Sequence, residues 1–237
     1  MEMGSKNALA VMDDADLDLA VSVALGGAFG GSGQKCTASS RLVVHQAIHD
    51  AFVEKMIAGA KAMVVGHALQ DGTQIGPIVS AQQLQENLDY VALGRSEGAE
   101  LVCGGQRVEM PTDGFYMSPG LFIDSSNTMR INREEMFAPL AAVIKVGSYD
   151  EALHVVNDTN FGLTSGIVTR DLARASHFRR HAKTGCVMVN LPTAGTDYHV
   201  PFGGRGDSSY GPREQGSYAA EFYTTVKTSY ISSGQPS

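Results

Sequence analysis

Asn7 to Met12 reads Asn-Ala-Leu-Ala-Val-Met, an apolar run of the length that suits a short buried strand. Asp13-Asp14-Ala15-Asp16 comes next and supplies N-cap and first-turn acids for a helix from about Leu17 toward Phe29. Glycines from Gly26 to Gly33 weaken that helix and predict its break into a loop. Arg41 to His45 predicts the next strand, and a helical period runs from about Ala47 to Met63. Val64 to Ser80, broken by Gly76-Pro77, predicts a long loop. A helix is expected from about Ala81 to Glu97, ending at Gly98, then a strand at Glu100 to Cys103. Turn formers fill residues 104 to 120 and predict a surface loop or hairpin. Pro139 to Val146, Ser165 to Thr169 and Cys186 to Asn190 are β-rich, with helical patterns at Tyr149 to Asn157 and Leu172 to His181. Gly211-Pro212-Arg213-Glu214 predicts the start of a further helix, and Tyr223 to Ile231 a terminal strand. The last few residues are expected to be disordered. This alternation predicts an α/β fold, a largely parallel sheet flanked by helices.

Composition narrows the function classes. With 237 residues and 43% hydrophobic content, the chain can bury a full core as one large domain or two small ones. Its net charge of −7 offers no basic face for sequence-independent nucleic-acid binding. No apolar run approaches the ~18 residues of a membrane span. The first residues carry no basic stretch leading into an apolar one, as an export signal would. Three widely spaced cysteines do not suggest a disulfide framework, so a reducing cytoplasm is the expected compartment.

The chemistry-bearing residues are ambiguous when each is read alone. Cys103 and Cys186 read as small buried hydrophobes, and Cys36 by itself would read the same way. The glycines before Cys36 permit tight turns, and free N–H groups beside it would lower its pKa and bind an oxyanion. Glu2, second from the chain end, would by itself be frayed and solvated. Glu134 and Glu135 would be solvated acids before a proline-started strand.

Taken together they carry a resemblance. Cys36, in Gly33-Gln34-Lys35-Cys36-Thr37-Ala38 with Ser40-Arg41 just beyond, lies 34 residues after Glu2 in Glu2-Met3-Gly4-Ser5-Lys6. Both segments, at this separation, resemble the aldehyde dehydrogenase superfamily, whose catalytic cysteine and general-base glutamate occupy matching motifs. The resemblance implies that Cys36 is the nucleophile and Glu2 the base. Met3 replaces the family's leucine and Ser5 its second glycine, a less permissive residue if φ is positive there. In Glu134-Glu135-Met136-Phe137-Ala138-Pro139, it implies that Glu135 holds the nicotinamide ribose hydroxyls and that Phe137 packs at the nicotinamide. Pro201-Phe202-Gly203-Gly204 is similar to the family's last signature and implies that Phe202 walls the aldehyde site. Gly206-Asp207 departs from the usual lysine-containing sequence there.

The activity implied by the resemblance is aldehyde oxidation to a carboxylic acid, with NAD or NADP as cofactor, through a cysteine thiohemiacetal and thioester. A small-molecule aldehyde substrate and a homodimer or homotetramer are implied with it. The resemblance divides the chain into a catalytic domain at 1–222 and an oligomerisation strand and tail at 223–237. The family's cofactor-binding half and its oxyanion-binding amide would lie upstream, so the chain is expected to be a fragment, inactive alone. Within the family, Val189-Asn190-Leu191-Pro192-Thr193-Ala194-Gly195 and Ser208-Ser209-Tyr210-Gly211-Pro212-Arg213-Glu214-Gln215-Gly216 are most similar to the α-ketoglutarate semialdehyde (2,5-dioxovalerate) dehydrogenases. A thiol esterase or acyl-transfer enzyme, a non-catalytic assembly partner and a stray gene fragment are the alternatives.

Other signals lead elsewhere. His177 and His181 stand at helical i, i+4 spacing without a third ligand, which reads as a solvated basic face, so no metal is expected. Asp13, Asp14, Asp16 and Asp18 lack the glycine and distal glutamate of a calcium loop. Gly26 to Gly33 ends a helix instead of linking a strand to one, so it is not a dinucleotide fingerprint.

Overall fold

The computed structural model describes residues 1–234. Its elements, in chain order, are β1 (Asn7–Val11), α1 (Leu17–Phe29), β2 (Ser39–His45), α2 (His49–Ala62), α3 (Ala81–Ser96), β3 (Glu100–Cys103), β4 (Arg107–Val108), β5 (Tyr116–Met117), β6 (Gly120–Ile123), α4 (Arg130–Arg133), β7 (Leu140–Val146), α5 (Tyr149–Asn157), β8 (Thr164–Val168), α6 (Leu172–His181), β9 (Cys186–Val189) and α7 (Ala219–Tyr223). Seven strands form one sheet in the order β3-β6-β7-β2-β1-β8-β9, and all neighbours are parallel except the antiparallel pair β3–β6.

The period-2 alternation of the central strands decides what covers each face. Leu9, Val11, Leu42 and Val44 point to one side and pack with Ala24 and Phe29 of α1 and Phe52 and Met56 of α2. Ala8, Ala10 and Val43 point to the other and meet Val155 and Val156 of α5 and Phe178 of α6. A third cluster joins Leu84 and Val91 of α3 to Phe122, Leu140 and Ala142 at the sheet's other end. Side chains such as Phe52 and Phe178, fully buried, each contribute about 1.5–3 kcal/mol of transfer free energy.

Most predicted elements are present, with three differences. The first helix runs from Leu17 through Gly26 and Gly27 to Phe29, as predicted, and Gly27 packs against Ser39. Residues 104–120 hold an antiparallel two-stranded ribbon (β4–β5), the hairpin the turn formers allow, but β6, which begins at Gly120, has no counterpart in the sequence reading. No helix starts at Gly211: φ is +96° at Gly211 and +72° at Gln215, and the Glu214 carbonyl accepts the Phe202 N–H at 2.9 Å. The helical turn comes later, at α7. Tyr223 to Ile231 forms no strand with this chain, having no neighbouring edge to pair with; Val226 and Tyr230 are each 97% exposed. The reading of the final residues as disordered falls on 235–237, outside the described residues. Among the described residues no helix is long and apolar enough to cross a membrane.

Topology gathers the sequence-predicted residues. Glu135 and Phe137 precede β7, Cys36 precedes β2, and Glu2 precedes β1. Those three strands are parallel and adjacent, so their entry segments line one edge of the sheet. Open α/β sheets commonly bind ligands at the carboxyl ends of their strands. Here the candidate residues share the amino ends. The carboxyl edge holds a structural network instead, in which Asp14 accepts from Thr169 Oγ1 at 2.8 Å and from the N–H of Arg170 and Asp171 at 2.9 and 2.8 Å.

Candidate active site

Cys36 sits in a tight turn between α1 and β2. Gly31, Ser32 and Gly33 all have positive φ, at 66°, 60° and 65°, and the Ala38 N–H then donates to the Lys35 carbonyl at 3.0 Å. Asn7, the first residue of β1, holds this turn through Nδ2, which donates to the carbonyls of Cys36 and Ala38, both at 2.8 Å. Its Oδ1 accepts from the Thr164 N–H at 3.0 Å and from Ser5 Oγ at 2.5 Å. One buried amide thus ties the entries of β1, β2 and β8 together. Thr193 Oγ1 donates to the Thr37 carbonyl at 2.7 Å and completes the clamp.

Glu2 is not frayed. The Met3 N–H donates to the Ser208 carbonyl at 2.7 Å and the Tyr210 N–H to the Met1 carbonyl at 2.9 Å, so residues 1–3 pair with 208–210. Ser209 Oγ donates to the Glu2 carboxylate. At the other end of this segment Arg41 Nε and Nη2 donate to the Lys6 carbonyl at 3.1 and 2.9 Å.

Glu135 is half-buried against the same segment. Its Oε1 accepts the Ser5 N–H at 2.8 Å, and a Cβ built on Gly4 would stand 2.6 Å from its Oε2. The positive φ of this motif, 71°, is at Gly4 and not at Ser5, so the serine that replaces a family glycine is tolerated. Phe137 has φ +52°, an uncommon conformation for a bulky residue, and is 37% exposed. Gly33 abuts the next residue: its Cβ position lies 2.0 Å from the Ala138 carbonyl oxygen. Only glycine lets the Cys36 turn lie against the Glu135–Pro139 segment.

Phe202 is buried at 8% exposure and reaches this region through its neighbour Gly203, whose Cβ position is 3.1 Å from Glu2 Oε1. Cys103 is buried as expected. Cys186 is only partly buried, its thiol 3.8 Å from the Gly203 carbonyl.

The electrostatics of Cys36 run opposite to the expectation of a lowered thiol. Burial pushes its pKa up, the Glu135 and Glu2 carboxylates push it further, and the N–H groups of Cys36 and Thr37 oppose them without winning. Both carboxylates therefore act on the sulfur, with Glu135 the stronger. Glu135→Gln is expected to speed iodoacetamide alkylation of Cys36 at pH 8, because removing the stronger of the two carboxylate charges raises the thiolate fraction. Glu2→Gln should accelerate it less. An unchanged rate in Glu135→Gln would separate the two side chains.

Sequence reasoning missed three organisers of this site: Asn7, Lys6 and Arg41. Each stands in or beside an apolar strand and is almost wholly buried, and a polar side chain at such a position was the available signal.

The chain is similar to α-ketoglutaric semialdehyde dehydrogenase of Bacillus subtilis, 40% identical over 98% of this chain and 48% of the relative. It is 38% identical to betaine aldehyde dehydrogenase of Brucella melitensis, over 99% of this chain and 48% of that protein. Among solved structures, betaine aldehyde dehydrogenase from Staphylococcus aureus in complex with NAD+ superposes with a TM-score of 0.90 at 31% identity, over 94% of this chain and 44% of the other. The chain thus spans about half the length of the curated relatives it matches. The model of the aldehyde dehydrogenase family matches residues 1–229, and on that match the chain belongs to the aldehyde dehydrogenase family.

Proposed function

We propose that this chain carries the chemistry of an NAD- or NADP-dependent aldehyde dehydrogenase, with Cys36 as nucleophile, Glu2 as general base, and Glu135 and Phe137 as cofactor contacts. The observation that supports it above the others is the meeting of Cys36, Glu135 and Glu2 at the amino ends of three adjacent parallel strands, where both carboxylates act on one thiol.

The Cys36 thiolate attacks the aldehyde carbon, and the N–H groups of Cys36 and Thr37 stand beside the sulfur to meet the oxyanion. A nicotinamide dinucleotide, when bound, supplies the hydride acceptor. The residues fit such a group. Glu135 keeps Oε1 on the Ser5 N–H and leaves Oε2 for an incoming hydroxyl, while Gly4 keeps the space beside it clear. Phe137 presents an exposed ring on a strained backbone, as functional sites often do. Oxidation leaves an acyl thioester on Cys36, and Glu2, steadied by Ser209, activates the water that releases the acid.

The 40% identity to an α-ketoglutaric semialdehyde dehydrogenase supports that semialdehyde as the substrate. The bare apolar side chains of Val226, Tyr230 and Ile231 support residues 223–237 as an oligomerisation segment that pairs with another copy. The cytoplasm is the compartment that keeps three free thiols reduced.

Formation of reduced nicotinamide by the native enzyme from α-ketoglutaric semialdehyde is the test. Cys36→Ala should lower it at least about 10³-fold, the loss expected when a nucleophile is removed. Undiminished turnover would overturn the proposal. Ester cleavage that depends on Cys36, without any cofactor reduction, would favour a thiol esterase.

A further inference from the structure

Glu2 and Ser209 stand opposite each other where residues 1–3 pair antiparallel with 208–210. The bonds from the Met3 N–H to the Ser208 carbonyl and from the Tyr210 N–H to the Met1 carbonyl flank the two residues without joining them. They are therefore a non-hydrogen-bonded pair, the kind whose side chains come closest. Ser209 has extended backbone, φ −148° and ψ 143°, and its hydroxyl reaches the Glu2 carboxylate.

Donor and acceptor roles at that hydroxyl are set by its two partners. The Gly204 N–H can only donate, and it does so to Ser209 Oγ at 2.6 Å. An ionised carboxylate can only accept, so the serine proton lies on the line to Glu2 Oε2. Hydrogen bonds arranged head to tail in this way polarise one another and hold more firmly. The turn that carries Ser209 is fastened from behind. Buried Ser208 accepts the Gly162 N–H through Oγ at 3.0 Å, the Arg205 N–H donates to the Gly162 carbonyl at 2.9 Å, and the Asp207 N–H to the Asn160 carbonyl at 3.0 Å. Arg213 Nη1 donates to the Gly204 carbonyl at 2.6 Å, so the residue that orients the serine is itself held at both its polar groups. Ser209 is a fixed post, and Glu2 is what adjusts to it.

The two oxygens of Glu2 are unlike. Oε2 is taken by Ser209, whereas Oε1 accepts no hydrogen bond from the described residues. Oε1 lies beside Gly203, 3.1 Å from the position a Cβ would occupy, and glycine leaves that flank without a side chain.

The geometry points to Ser209 as the positioning residue of the general base: its hydroxyl, aligned by the Gly204 N–H, holds Oε2 and so makes Oε1 the atom that takes the proton from water. The inference rests on the reading of Glu2 as general base and goes beyond it by naming the acting oxygen and what fixes it. In thioester hydrolysis Oε1 takes one proton of the water, the water oxygen bonds to the acyl carbon, and the carbon–sulfur bond breaks with its electron pair passing to Cys36 as thiolate. Ser209 keeps its own proton throughout. Its effect therefore falls on release of the acid and not on capture of the carbonyl.

The test separates those two steps with p-nitrophenyl acetate, an activated ester that acylates a reactive thiol and needs no dinucleotide. Native enzyme is loaded with this probe, freed of excess, and the loss of acetyl from Cys36 is followed by mass spectrometry. Ser209→Ala should slow that loss by about 10- to 100-fold, the range of one hydrogen bond to an ionised group, while acetyl loading keeps its rate. Ser209→Thr keeps a hydroxyl, and a β-branched residue suits the extended backbone there, so it should stay near the wild-type rate. In the Glu2→Gln background Ser209→Ala should add no further slowing.

A wild-type rate of acetyl loss in Ser209→Ala, with Glu2→Gln slow, overturns the proposal and leaves the reading of Glu2 standing. Equal slowing by Ser209→Ala with and without Glu2, or equal slowing of loading and loss, overturns the positioning role as well. If Glu2→Gln by itself leaves acetyl loss unchanged, the reading of Glu2 as general base falls instead.

Discussion

Gly33→Ala should destabilise the chain by about 2–5 kcal/mol and lower turnover by about 100-fold. Two effects add. The backbone at Gly33 has φ +65°, where an L side chain costs about 1–2 kcal/mol. The new methyl would also lie 2.0 Å from the Ala138 carbonyl oxygen, a backbone atom that cannot rotate away, and overpacking of that kind costs about 1–3 kcal/mol. Relief requires the Cys36 turn to move off the Glu135–Pro139 segment, and a displacement of about 1 Å is worth about 100-fold in rate. Gly72→Ala is the control: φ there is +83°, but nothing lies within 4 Å of the new methyl, so only the conformational cost should appear. Urea unfolding of both variants separates the two effects. Equal losses would mean that close packing against Ala138 contributes nothing.

The second large effect belongs to Arg41. Its guanidinium donates to the carbonyls of Lys6, Val155 and Val156 and to Asn127 Oδ1, all neutral acceptors, while burial drops its pKa to about 10. Arg41→Met relieves that desolvation, worth about 3 kcal/mol at 1.36 kcal/mol per pKa unit. It also orphans three buried carbonyls at about 1–3 kcal/mol each. The three orphaned acceptors total about 3–9 kcal/mol against about 3 kcal/mol of relief, so a net loss of up to about 6 kcal/mol, near 3 at mid-range, is expected. Hydrogen exchange should quicken at Ser5–Asn7 before the rest of β1, because Arg41 clamps the Lys6 carbonyl where the chain enters that strand. Uniform exchange across β1 would assign Arg41 to general packing.

These two residues also mark where the sequence stops being legible. The unbroken apolar runs Ala8–Val11 and Leu42–Val44 reveal the sheet, because a strand buried on both faces is apolar throughout. The motif around Cys36 is equally readable, since its glycines have a local backbone purpose. Lys6, Asn7 and Arg41 act through groups remote in sequence: the Lys6 carbonyl lies 35 residues from Arg41, and the Asn7 side chain reaches residues 29 and 31 positions away. Single-sequence pattern carries no record of such pairings. Elements without a partner in the chain fail in the other direction. Tyr223 to Ile231 has strand composition, but a strand exists only where another edge accepts its hydrogen bonds. At Gly211–Gln215 the positive φ values and the pairing of Glu214 with Phe202 override a local helix signal.

Peptide mapping by mass spectrometry, on native enzyme quenched during turnover with α-ketoglutaric semialdehyde, interrogates the sulfur itself. The substrate's acyl group should be found as a thioester on Cys36, accumulate further in Glu2→Gln, and be absent in Cys36→Ala. Acyl label on Cys186 or Cys103, or full turnover with Cys36 never acylated, would contradict the assignment of Cys36 as the atom that captures the carbonyl.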